Sequence, residues 1–106
     1  MLERLAEIEI KYIDLSEQVN DPDIIANQSE WRRLMKEYSD LTPIIEKYRQ
    51  YKKIEQEIAD NLELLNEKLE DDMKELVKEE LSQNKQILEE LKKELTILLL
   101  PKDPND

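Results

Sequence analysis

Three pairs of neighbouring carboxylates, Asp71-Asp72, Glu79-Glu80 and Glu89-Glu90, are the first residues to inspect for chemistry. A general acid and its partner base must converge on one bond, whereas side chains adjacent on a helix point about 100° apart. The pairs therefore read as solvated surface. The chain holds no histidine and no cysteine, which removes the usual nucleophile–base pairs and the commonest zinc ligands. It holds no glycine, and loops that cradle phosphate need one. No catalytic residue, no cofactor-binding residue and no metal ligand emerges, so the chain reads as a non-enzyme.

The cations are more informative. Arg32, Arg33 and Lys36 form one small cluster, and Lys47, Arg49, Lys52 and Lys53 form another. These are the places where an acidic protein surface or an RNA would dock. The competing reading is pairing with nearby glutamates, as in the favourably oriented Glu7–Lys11, Glu70–Lys74 and Glu89–Lys93 spacings. The net charge is −11. A phosphate-binding protein needs surplus cations, because counterion release supplies most of the affinity. Direct nucleic-acid binding and binding to anionic membranes are therefore not expected. Trp31 is either a binding hot spot or, as the start of an apolar stripe, core; its spacing favours core.

Helices must carry all of these residues. Leu2, Leu5, Ile8, Tyr12, Leu15 and Val19 recur every three or four positions, which predicts a helix over about 2–20. Asp21-Pro22 ends it, since proline disfavours helix in the preceding residue. A connector follows, with one short turn at 23–26. Ser29 is the expected N-cap of a second helix, about 29–65. Its stripe runs Trp31, Leu34, Tyr38, Leu41, Ile45 and Tyr48, then shifts register into Tyr51, Ile54, Ile58, Leu62 and Leu65. Pro43 lies inside this helix and predicts a kink. Asp72 and Glu75 have capping-box spacing at the start of a third helix, about 72–98. There Met73, Val77, Leu81, Asn84, Leu88, Leu91, Leu95 and Leu98 make the stripe. Asn84 either sets the register of a buried seam or sits exposed on a loose one.

The expected fold class is all-α: a three-helix elongated bundle dominated by a long antiparallel hairpin. The first ten residues lack the basic start and apolar run of a signal peptide. No stretch approaches the about 20 apolar residues of a membrane span. A soluble, cytoplasmic protein without membrane contact is expected. One feature does not fit such a domain: "ILLL" (97–100) continues past any single helix face, and prolines follow at 101 and 104.

That stretch carries a resemblance. "LLLPKDPND" (98–106) resembles the junction after the N-terminal helical domain of the bacterial class-I peptide chain release factors, the release factor 1 branch in particular. "DPDII" (21–25), "KEYSDLTPII" (36–45) and "YRQYKKIEQEI" (48–58) follow the same family's pattern in order. The resemblance spans essentially the whole chain. It implies residues 1–100 as an N-terminal helical domain and 101–106 as the start of a linker to a central domain that is missing here. Family members recognise the stop codons UAA and UAG on the ribosome and direct peptidyl-tRNA hydrolysis. The Gly-Gly-Gln and codon-reading motifs responsible lie in later domains and are absent from this chain. The resemblance further implies a non-catalytic contact arm. Its partners would be the ribosomal stalk base near ribosomal protein L11 and the class-II release factor GTPase. Leu99, Leu100 and Pro101 become the expected hinge between domains, and Arg32, Arg33 and Lys36 the expected partner contacts. The rival readings are a structural coiled-coil interaction module and a tRNA-binding helical arm. Pro43 and the register shift weigh against the first, and the net charge against the second.

Overall fold

The structure, a computed structural model, describes residues 1–101. Four helices occur among them: α1 (Leu2–Gln18), α2 (Pro22–Ala26), α3 (Gln28–Leu65) and α4 (Asp71–Leu98). No strand occurs among the described residues. The all-α expectation holds, but the count of three helices does not. Asp21-Pro22 both ends one helix and starts another. The Asp21 carboxylate accepts from the Asp23 N–H at 2.9 Å, and proline occupies the first turn of α2, where its missing N–H costs nothing. This turns the expected single turn into a five-residue helix.

The start of α3 also differs. Asn27 is the capping residue, not Ser29. The Asn27 Oδ1 accepts from the Glu30 N–H at 3.4 Å and from the Ser29 hydroxyl at 3.1 Å. The helix then runs for 38 residues, unbroken through Pro43. The capping box at Asp72 and Glu75 does not form, because α4 begins one residue earlier and its N-cap, Glu70, makes no side-chain capping bond. Asp71 and Asp72 instead sit within the first turn, where the helix dipole favours negative charge.

The chain divides into two compact units, Met1–Glu46 and Lys47–Asp106. In the first, Leu15, Val19 and Leu34 form a buried cluster, against which Ile24, Trp31, Met35, Tyr38 and Leu41 pack. Trp31 is thus half-buried against this core, and its indole N–H donates to the Val19 carbonyl at 3.1 Å. The rings of Tyr12 and Tyr38 stack with centroids 4.6 Å apart. The Thr42 hydroxyl donates to the Tyr38 carbonyl at 2.9 Å. Its single proton is then used, so at 3.1 Å the Tyr12 hydroxyl is the donor to Thr42 Oγ1. Lys11 pairs with Glu37 of α3 at 2.5 Å instead of with Glu7 on its own helix.

The second unit is a helical hairpin: residues 47–65 of α3, a loop at 66–70, and α4. The partners run in opposite directions, Lys47 with Glu94 near the open end and Asn61 with Glu80 and Asn84 toward the loop. Tyr48, Tyr51, Val77, Leu91, Leu95 and Leu99 are buried. Three stripe assignments are overturned here. Leu62 is 48% exposed and its neighbour Asn61 only 4%. Met73 is 50% exposed. At the end of α4, Leu98 is 37% exposed while Leu99 is 9% exposed. The expected hinge residue Leu99 therefore belongs to the buried side. Its N–H bonds the Leu95 carbonyl at 3.0 Å, one α-turn back, so it extends the line of the fully buried Leu95. A strict seven-residue repeat drifts about 20° per heptad on a straight helix, which is enough to exchange adjacent positions at a stripe's end. No helix among the described residues is long and apolar enough to cross a membrane.

Candidate contact surfaces

Arg32, Arg33 and Lys36 occupy the second turn onward of α3, all exposed. They are three and four residues apart at most, so one helix brings them together, yet two are engaged locally. Arg33 grips Glu30 with both ends of its fork, Nη2 to Oε1 at 2.6 Å and Nε to Oε2 at 3.3 Å. Lys36 reaches Asp40 at 3.4 Å. The Arg33 hydrogen bond, chiefly, holds the Glu30 carboxyl below the usual carboxylate range, and its positive charge adds to the effect while desolvation opposes it. Glu30 raises the Arg33 pKa in return. A surface pair of this kind contributes little stability; its effect is to hold the guanidinium in place along the helix.

The second cluster is dispersed. Lys47 bonds Glu94 at 2.7 Å, and the Lys52 ammonium lies 4.6 Å from the centre of the Tyr48 ring, within cation–π range. Arg49, Lys52 and Lys53 are exposed. Among the described residues, no group of three or more carboxylates is arranged to hold a metal ion.

Apolar side chains are exposed at the end of α4. Ile97 is 66% exposed and Leu100 62%. Pro101 is exposed as well. A shallow groove of about 270 Å³ lined by Lys47, Glu94, Ile97 and Leu98 lies on one side. Another of about 470 Å³ lined by Glu89, Lys92, Lys93, Thr96 and Ile97 lies on the other. Of the expected hinge residues, Leu100 and Pro101 are accessible and Leu99 is not.

Sequence reasoning missed Asn61. The Asn84 side-chain amide donates to Asn61 Oδ1 at 3.0 Å, and the Asn61 amide donates to Glu80 Oε2 at 3.1 Å. Both asparagines are buried. The signal was present: Asn61 lies three residues from Ile58 and four from Leu65, on the stripe, and the stripe of α4 carries an asparagine of its own at 84. A lone buried amide leaves polar atoms unsatisfied, so a facing partner is what such a residue requires.

A model of the PCRF domain matches residues 8–106. The chain belongs to the PCRF domain family. This PCRF domain is 53% identical over 106 residues to peptide chain release factor 1 of Caldicellulosiruptor saccharolyticus. It is 49% identical to peptide chain release factor 1 of Clostridium botulinum strain 657 and 50% identical to that of Caldicellulosiruptor bescii. Each comparison covers 100% of this chain, which spans 30% of the length of the relative. No solved structure matches this PCRF domain.

Proposed function

We propose that this PCRF domain is the N-terminal helical arm of a translation termination factor of the release factor 1 type. The observation that carries the reading is the identity of about half, over every residue of the chain, to relatives named peptide chain release factor 1. The intact factor reads UAA and UAG on the ribosome and directs peptidyl-tRNA hydrolysis; the arm supplies contacts and no chemistry. It works in the cytoplasm, against the stalk base near ribosomal protein L11 and the class-II release factor GTPase. Residues 1–100 form the arm and 101–106 lead out of it, the last five lying outside the described residues. Arg32, Arg33 and Lys36 contribute partner contacts. Leu100 and Pro101, with Ile97 and Leu98 beside them, meet the body of the factor. That assignment suits exposed apolar side chains gathered at one helix end. Within the arm, α3 bends at Pro43, where the ring lacks an N–H and crowds the carbonyl one turn back.

The test compares the intact factor with a version lacking residues 1–100. Codon-dependent peptide release should persist without the arm, while stimulation by the class-II GTPase should fall. Complete loss of release with a folded remainder would show that the arm takes part in the chemistry. The 106-residue chain added alone to a termination complex should release no peptide above buffer.

A further inference from the structure

The loop end of the hairpin carries apolar side chains that the fold does not use. The Asn61–Glu80 bond, 3.1 Å long, marks one side of the hairpin. On α3, Leu64 lies three residues beyond Asn61, and on α4, Leu76 and Met73 lie four and seven residues before Glu80. Positions three, four and seven apart share a helix face. In an antiparallel pair both steps lead toward the loop. Leu64 and Leu76 thus flank the next rung on that side, and Met73 the one after. All three are open to solvent, Leu64 by 39%, Met73 by 50% and Leu76 by 61%.

Their surroundings have a definite charge. Residues 55–80 hold eleven carboxylates against three lysines, a net −8 out of −11 for the whole chain. The rest of the described hairpin is the opposite: residues 47–54 and 81–101 hold seven cations against three carboxylates. An apolar centre with a one-signed rim is how a protein interface excludes wrong partners and steers the right one. A nucleic acid or an anionic lipid surface is repelled from this end of the hairpin.

We propose that the Leu64, Met73 and Leu76 face is a docking surface for a protein segment with an apolar stripe bordered by lysine or arginine. This surface is distinct from the Arg32 cluster and from the Ile97–Leu100 end, and it does not depend on the ribosomal reading above. The occupant's charge follows from the rim, and its apolar stripe from the uncovered side chains.

The test titrates the isotopically labelled chain with three probes while backbone and methyl resonances are followed. The probes are an amphipathic lysine/leucine peptide, an oligolysine of equal charge, and a single-stranded RNA oligonucleotide. The lysine/leucine peptide should shift Leu64, Met73 and Leu76 first and bind at least tenfold more tightly than oligolysine; the RNA should leave these residues unmoved. Leu64→Ser/Met73→Ser/Leu76→Ser should lose that tenfold advantage with unchanged helix content. Should that triple variant fail to fold, Leu76→Ser alone, at the most exposed of the three positions, serves in its place and should reduce the advantage at least threefold. Equal binding of oligolysine and the amphipathic peptide would overturn the proposal, as would first shifts at residues 97–100 or a folded serine variant that binds normally.

Discussion

The two units bury polar groups by opposite strategies. Around Tyr12, the first unit uses amphipathic aromatics: rings stack in the interior while Tyr12 and Trp31 each place one donor on an oxygen nearby. Apolar area does most of the work there, and each hydrogen bond only prevents a loss. The second unit places two amides directly in the seam, Asn84 on Asn61 and Asn61 on Glu80. Such a relay gives up apolar burial and gains a requirement for one pairing of the helices. The first unit's core should therefore respond to lost volume, and the second unit's relay to a lost partner.

Leucine truncation gives the largest effect. Leu15→Ala in the first unit and Leu91→Ala in the second, both buried, should each cost about 2–5 kcal/mol in chemical denaturation. Leu62→Ala, at an exposed position, should fall well below either. A Leu62→Ala cost equal to that of Leu91→Ala would move Leu62 back into the seam and break the contrast.

The relay is tested by a double-mutant cycle. Asn84→Leu alone leaves the Asn61 oxygen unpaired in the interior and should cost about 1–3 kcal/mol. Asn61→Leu/Asn84→Leu should recover most of that loss or exceed the parent's stability, and should raise concentration-dependent association in sedimentation. Additive losses across the cycle would mean the two amides do not act as a pair.

Asn27→Ala should cost about 0.5–2 kcal/mol, the usual range for a lost N-cap, with Ser29→Ala costing less. The reverse ranking would return the cap to Ser29.

Two titrations give the smallest effects. The folded-state pKa of Glu30 is lowered, chiefly by its hydrogen bond from Arg33. The pair's contribution is therefore present above the ordinary carboxylate range and is lost as pH falls through the lowered value. Arg33→Ala should move the Glu30 carbon-13 titration upward with little change in melting. Tyr51 is shifted the other way: burial, then the charges of Glu55 and Glu89, raises its pKa. Stability linked to Tyr51 is present below about pH 10 and declines as pH rises through the raised value. Tyr51→Phe should flatten that alkaline decline.

Much of this molecule was legible in one dimension. Helical spacing with no glycine dictates an all-α chain, and Asp21-Pro22 and the polar stretch before α4 place its breaks within a residue or two. The cation cluster on α3 is visible because three residues within five positions must share a helix. Local rules settle such features, since they depend on backbone geometry and near neighbours. Closely spaced choices were left open by the local pattern: Asn61 over Leu62, Leu99 over Leu98, Asn27 over Ser29. A modest turn of the whole helix about its axis decides the first two pairs and a single capping geometry the third. For the two helix-end and seam positions the decision came from packing, and for Asn27 from a capping bond to the Glu30 N–H. Asn84 makes Asn61 worth burying, and Leu99 lies one turn beyond a fully enclosed Leu95. Hydrophobicity ranks residues in isolation, whereas burial is settled by which direction the packed helices leave open.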